Sequence, residues 1–535
     1  MGKGINIRKG LSTWTFVIVG IRNCRRLTRH SIFYGSFYKG FYLMKKINSP
    51  TFSACRQPFT VCLLMLALLL PAMLVGCQSF PDTGKEFTSP LADLRQDPFH
   101  TARLSCFLTL MDEKGPAIRL EVASIEIFTE DTSLLLTSGP LKIDSTAIGA
   151  GQLFLGGAAL PPDQYQRLRM LVTKGEVQKS DGRYEVIAPE PFYVEVNLPV
   201  GVNLKPEDSL SLLITWDVLN SLQTDNTLDP DLTAILPLKQ MLNNLVLVTC
   251  PDIDTVFVVR VDKNWVVDSF GLKGNPTHLA IDPDNKNLLY ILTSRDRMLK
   301  VVELSTFRVV NFFQAPLNDQ PTFMTVSPDG RFAFLLDERN GYLSRINLIT
   351  GEIAARVLLG DQPNYAAYLE EQNLLAVSLA LSQKVLLLDP DSLAVRRSIS
   401  TGNTPQGLIV SNNQLLVAEY GENTISIADL STMGTQNRLS VGFGPRRLLE
   451  TGNNEIYVSN YQDGSLSVLE PGQFGVMQVI YGLSRPFEMT VNLLYRRLYV
   501  TDEEKAALGV IDTNTNRLLG YIALGARPFD LDMIQ

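Results

Sequence analysis

At 535 residues, 45% of them hydrophobic and 19% charged, the chain has length for roughly two to four domains and is globular rather than disordered or fibrous. Its net charge of −7 is uneven: residues 1–76 carry 11 Lys/Arg and no acid, so residues 77–535 hold 48 − 11 = 37 bases against 55 acids, a net of −18. That body lacks the basic face a nucleic-acid partner requires, and 6 Cys with 3 His leave little material for a multi-metal or haem protein.

Residues 61–75 read VCLLMLALLLPAMLV. This run is shorter than the about 20 residues a membrane span needs. It fits the apolar core of a secretory signal, with Pro71 breaking the helix near its end. Leu74-Val75-Gly76-Cys77 follows and resembles the bacterial lipobox. The resemblance implies cleavage before Cys77, diacylglycerol on its sulfur and a membrane partner through that anchor. Gln78, where Asp would retain a lipoprotein at the inner membrane, resembles an outer-membrane address. The expected location is the cell envelope, facing either the periplasm or the exterior. Met44-Lys45-Lys46 makes a compact basic start, so 44–76 is read as the signal peptide and 1–43 as a non-native or leader extension. Residues 77–100 are polar, with three prolines and no sustained period, and read as a flexible tether.

From 101 to 240 the pattern is of short strands: Ala102–Leu110, Ile118–Phe128, Ser133–Leu136, Arg167–Thr173, Tyr184–Ile187, Phe192–Leu198 and Ser209–Trp216. Gly, Pro and Asp clusters separate them, which predicts a β-sandwich. The segment Leu160-Pro161-Pro162-Asp163-Gln164-Tyr165-Gln166-Arg167-Leu168-Arg169 resembles the LPxGxYxxIRL core of a bacterial lipoprotein domain of unknown function, and Ile214-Thr215-Trp216-Asp217 resembles its later LDFD strand. The resemblance implies a transthyretin- or carbohydrate-binding-like sandwich and no known activity. Beyond Cys77 the remaining thiols are Cys106 and Cys250, both at strand positions; two buried thiols or an interdomain disulfide both fit. No CxxCH occurs, so c-type haem attachment is excluded.

Residues 244–535 are repetitive. Proline stands before a short strand at Pro276, Pro321, Pro363, Pro405, Pro445, Pro486 and Pro528, with spacings of 45, 42, 42, 40, 41 and 42. A turn follows each first strand, as in Ser327-Pro328-Asp329-Gly330-Arg331; then come an apolar second strand, a third, and a fourth that ends near glycine. Four strands in roughly 42 residues is the arithmetic of a propeller blade. Within the second strands, Tyr457-Val458-Ser459-Asn460 and Tyr499-Val500-Thr501-Asp502 resemble the YVTN signature of YVTN-family β-propellers. Leu245–Gly274 supplies a second, third and fourth strand without a first, and Arg527–Gln535 supplies a lone first strand. Together they complete one blade, which predicts a closed ring of seven.

Asp282-Pro283-Asp284-Asn285 could be taken for part of a Ca²⁺ loop, but it aligns with Ser327–Gly330 and reads as a blade turn. His278 is the one His of the propeller and His100 the other beyond the leader; without a second His nearby neither reads as a metal or catalytic group, and no metal or cofactor is expected. The loops before the first strand and between the second and third share one propeller face. That face carries Arg446, Arg447, Arg485 and Arg527 with Tyr365, Tyr420 and Tyr461, and is the expected binding surface, arginines near the channel mouth and acids toward the rim. These features point to a non-catalytic envelope lipoprotein whose propeller binds a protein, peptide or glycan. The alternatives are a lactonase-type propeller enzyme, which would need Glu, Arg and His at the channel mouth, and an accessory subunit of a periplasmic redox enzyme.

Overall fold

The computed structural model describes residues 101–535 apart from 113, 200–201, 238–241, 316–320, 433, 471 and 535. The expectations for the leader, Cys77, the tether and His100 lie outside the described residues. Among the described residues no helix is long and apolar enough to cross a membrane.

The first part is a sandwich of two sheets. One has the order Leu153–Leu160, Ala102–Leu110, Ser209–Asp217, Asp231–Ile235; the other has the order Ser133–Asp144, Ile118–Phe128, Arg167–Gln178, Tyr184–Ala188, with Phe192–Asn197 also on Arg167–Gln178. Alternating apolar positions of both sheets meet in one core that includes Leu104, Ile125, Leu168 and Trp216. The two motif aromatics are core anchors whose polar ends are satisfied: Tyr165 OH donates to the Pro161 carbonyl at 2.6 Å, and Trp216 Nε1 to Ser221 Oγ at 2.8 Å. Two strands escape the sequence reading. Leu153–Leu160 contains Gly156-Gly157, which interrupt its alternation, and the pairing register shifts there, opposite Cys106/Phe107. Asp231–Ile235 is a short strand directly after Pro230. The third strand runs on to Asp144 rather than stopping at Leu136, because a register shift at Val122/Ser124 accommodates Gly139-Pro140.

The second part is a β-propeller of seven four-stranded antiparallel sheets. Numbered from Pro276, blades one to six have inner strands Pro276–Ile281, Phe323–Val326, Pro363–Leu369, Pro405–Ser411, Pro445–Glu450 and Pro486–Asn492. Blade seven is built from both ends of the region: Leu531–Ile534 pairs antiparallel with Leu245–Cys250, followed by Thr255–Arg260 and Trp265–Gly271. The ring therefore closes as the repeat predicts. The Asp282 segment is the blade turn: Asp282 Oδ1 accepts from the Asp284 and Asn285 amides, both at 2.9 Å, and Tyr290 OH donates to Oδ2 at 2.7 Å.

Sandwich and propeller share a core. Phe107, on a sandwich strand, is fully buried among Val246, Val248 and Phe257 of blade seven, its ring 6.2 Å from that of Phe257. Phe154 lies over Gly525, where a Cβ would come within 2.1 Å of the ring; with φ of +71° as well, only glycine fits. The outer edge of blade seven would otherwise offer unpaired backbone groups. Gln152 covers part of it, donating to the Val266 carbonyl at 3.0 Å and accepting from the Val266 amide at 2.9 Å, while Trp265 Nε1 donates to the Ala150 carbonyl at 2.9 Å. Cys106 and Cys250 are both free and buried, so the disulfide alternative is not formed; burial pushes the Cys106 thiol up to about 12.

The closing strand carries a titratable lock. The Asp532 carboxylate accepts from the Ile281 amide at 3.0 Å and the Met533 amide at 2.7 Å, and burial raises it to about 6 against these hydrogen bonds. A carboxyl raised above its unfolded value of about 3.9 is protonated more readily in the native state, so its stabilising contribution is complete below that value and is lost as pH rises through about 6. Burial raises Asp268 to about 6 too, and it adds to the same window. Urea midpoints should therefore fall between pH 4 and 6.5, and Asp532→Asn should remove roughly 2 kcal/mol of that fall. An unchanged slope in the variant would remove Asp532 as the cause.

Candidate functional site

Every inner strand begins at the repeat proline or just after it, so the second residue beyond each proline holds the same place in all seven blades. Those residues are His278, Phe323, Tyr365, Gly407, Arg447, Glu488 and Asp530. Their contacts run round a circuit. The His278 ring is 4.6 Å from Phe323, and Phe323 is 4.7 Å from Tyr365. The Arg447 guanidinium lies 4.6 Å over Tyr365 and its Nε donates to Glu488 Oε1 at 2.5 Å. Asp530 Oδ2 is 3.1 Å from His278 Nδ1 and accepts from the Leu279 amide at 3.0 Å. Gly407 leaves the gap that Arg447 fills, since a Cβ there would stand 3.1 Å from Arg447 Cδ. Arg447 also reaches Phe323, 5.9 Å away on the opposite side of the ring, so the circuit spans the axis.

The charges of this ring act on one another. Burial raises the Glu488 carboxyl, Asp530 pushes the same way, and the Arg447 charge opposes both. His278, Glu488 and Asp530 place one ligand atom each within 4.8 Å of one another, which is the arrangement a divalent cation would use. Here Glu488 is paired with Arg447, and Asp530 is held by His278 and the Leu279 amide, so both acids already have protein partners. His278 is thus not solitary, as its isolation in the sequence suggests: the fold gives it a carboxylate and two flanking aromatic rings, Phe323 and Phe529.

Beside the ring lies a second layer. Arg446, the first residue after its proline, is largely buried, with its guanidinium 4.5 Å over Tyr461, 4.8 Å over Phe487 and 5.6 Å over Tyr420. Gln462 Nε2 donates to Tyr420 OH at 2.8 Å, and Tyr461 OH donates to Glu503 at 2.6 Å, so both tyrosine rings are fixed. Burial, and then the charge of Arg447, lower the Arg446 pKa, and its Nε is buried without a hydrogen-bond partner. The other arginines have carboxylates: Arg485 has Glu504 at 3.3 Å, Arg527 has Asp252 at 2.7 Å, and Arg447 has Glu488. Burial raises Glu338, on the second-to-third loop of blade two, and it feels Arg446 as its opposing charge.

The expected surface is therefore split by depth. Arg446, Tyr420 and Tyr461 come together, with Arg485 against Tyr461 at 5.9 Å. Arg447, which is buried, and Tyr365, which is half-buried, lie together in the ring rather than in the Arg446 layer. Acids do not keep to the rim, because Glu488 and Asp530 lie in the ring. These two escape the sequence reading although the signal is present: aligning the residue two beyond each repeat proline identifies the whole ring.

No family model matches the chain and no curated protein does. Among solved structures, a functionally unknown protein from Desulfotomaculum acetoxidans matches with TM-score 0.50 and 14% identity over 55% of this chain and 99% of its own. The dihydro-heme d1 dehydrogenase NirN matches with TM-score 0.43 and 14% identity, over 54% of this chain and 65% of its own. Kuenenia stuttgartiensis hydrazine synthase matches with TM-score 0.43 and 14% identity, over 48% and 89%. At this identity the likeness concerns the fold alone.

Proposed function

We propose that this protein is a non-catalytic, YVTN-type envelope lipoprotein, anchored through Cys77, whose propeller binds a carboxylate-bearing protein, peptide or glycan at the Arg446 recess. One observation carries the reading: Arg446 is desolvated between three aromatic rings and, unlike its neighbours, has no carboxylate within ion-pair distance among the described residues. A buried guanidinium without an anion costs several kcal/mol, and a ligand carboxylate supplies the missing charge with bidentate geometry. Tyr420 and Tyr461 add flat faces on which a sugar or a peptide side chain stacks. The test is calorimetric titration with uronic-acid oligosaccharides and with acidic peptides. Arg446→Gln should weaken the best ligand by about 10-fold or more, the loss of one charged hydrogen-bonded contact. Equal affinity in the variant would end the proposal.

A hydrolytic second reading has one observation in its favour, the meeting of Glu488, Arg447, His278 and Asp530 that a lactonase-type enzyme would need. Lactone turnover abolished by Glu488→Gln would establish it. The aromatic rings round the ion pairs and the mutual satisfaction of the charges favour binding over catalysis.

A further inference from the structure

A second arginine without an ion-paired carboxylate among the described residues lies far from the ring in sequence, in a cleft between sandwich and blade seven. The cleft has a volume of about 550 Å³ and is lined by the start of the Ala102–Leu110 strand, the 207–209 turn, the 252–255 connection, Lys273 and Arg295. Its size lies in the range of small-ligand sites, and it sits where such sites concentrate, between two packed parts of a chain.

The charges of the lining can be paired off. Lys273 is 2.9 Å from Glu207, Arg295 is 3.1 Å from Asp254, and Asp252 is 2.7 Å from Arg527 outside the cleft. Arg103 and Asp208 remain. Burial lowers the Arg103 pKa, its Nε is buried without a hydrogen-bond partner, and the acidic group whose charge it feels is the Cys250 thiol, which burial itself keeps protonated. The strand that carries Arg103 is held by the sandwich core on one side and, through Phe107, by the propeller core on the other. Among the described residues the Asp208 carboxylate accepts a local turn bond, from the Lys205 amide at 2.9 Å, and no other; its backbone carbonyl holds the Arg103 amide at 2.7 Å. Among the described residues, one cation and one acid, both free of an ion pair, thus line the same recess and are joined by that backbone bond.

We propose that this cleft binds a small zwitterion such as a free α-amino acid, its carboxylate on the Arg103 guanidinium and its ammonium toward Asp208. The carboxylate replaces the counter-charge that Arg103 lacks, and the ammonium avoids the repulsion that the acids of the lining would impose on a simple anion. A doubly charged phosphate is the worse fit for the same reason. The site is separate from the Arg446 recess and does not rest on it.

The experiment is a thermal-shift screen of the full chain with the standard amino acids, followed by calorimetry on any that bind. Propionate, ethylamine and inorganic phosphate serve as comparison probes. At least one amino acid should raise the melting temperature in a concentration-dependent way and exceed both its carboxylate-only and its amine-only counterparts. Arg103→Gln should weaken it by about 10-fold or more, Asp208→Asn should weaken it without affecting propionate, and Arg446→Gln should leave it unchanged. Arg103→Lys keeps the charge but loses the fork, so should Arg103→Gln fail to fold, reduced affinity in the Lys variant supplies the same test. The proposal is overturned by the absence of any amino-acid shift, by binding that survives Arg103→Gln or is unaffected in Arg103→Lys, by phosphate as the preferred probe, or by loss in Arg446→Gln.

Discussion

Arg447→Met should destabilise the propeller by about 3–5 kcal/mol, the cost of breaking a buried ion pair from one side. Arg447 is 5% exposed and its Nε sits 2.5 Å from Glu488 Oε1. Removing it leaves Glu488 beside Asp530 without its cation, in a site where burial already raises the Glu488 carboxyl. The double variant Arg447→Met/Glu488→Gln should recover most of the loss, because the uncompensated charge goes with its partner. The pH dependence has a definite sign. Because Glu488 is raised in the folded state, its contribution is complete below the unfolded value of about 4.3 and is lost as pH rises through the folded one. Without Arg447 that folded value moves higher still, so the single variant should gain stability relative to wild type as pH is lowered from 7.5 to 5. Urea denaturation at the two pH values measures both effects; a single-variant loss below about 1 kcal/mol would place the pair in the class of weak surface bridges instead.

Phe107→Ala should cost about 3–5 kcal/mol, the range for deleting a fully buried aromatic ring, and the damage should be regional. Phe107 belongs to a sandwich strand yet packs at 0% exposure in the blade-seven core, 5.4 Å from Phe154 and 6.2 Å from Phe257. The cavity would open between the two parts, so amides of Ala102–Leu110 and of Leu245–Cys250 should lose protection against hydrogen exchange while blades three to five keep theirs. A uniform loss over the whole propeller would mean that the joint is not a separate cooperative element. Gly525→Ala presses on the same joint from the propeller side, through the ring of Phe154.

How much of this was legible in the residues differs by level. The blade repeat is local and periodic: a proline, a turn and four short strands recur because each blade must bury the same faces, and that alone predicts seven blades and their closure by Leu531–Ile534 against Leu245–Cys250. The sandwich strands with clean alternation, Ala102–Leu110 and Ile118–Phe128, run between the residues their pattern indicates, whereas Leu153–Leu160 hides behind glycines that only its bulged pairing explains. Site residues followed a different rule. Tyr420, Tyr461 and Arg446 could be placed on one face by loop position, but loop position says nothing of depth, and it put Arg447 and Tyr365 beside Arg446 rather than in the ring.

Taken alone, then, the order of residues determined the all-β class, the blade count and which strand closes the circle, because hydrophobic period and turn chemistry are short-range properties. Pairing of charges is long-range. His278 meets Asp530 across 252 positions, Arg447 meets Glu488 across 41, and Arg103 and Arg446 are the arginines that the fold leaves desolvated without an ion-paired carboxylate among the described residues. Ring closure brought the first pair together and the sandwich–propeller joint created the cleft around Arg103, so those were decided by tertiary structure.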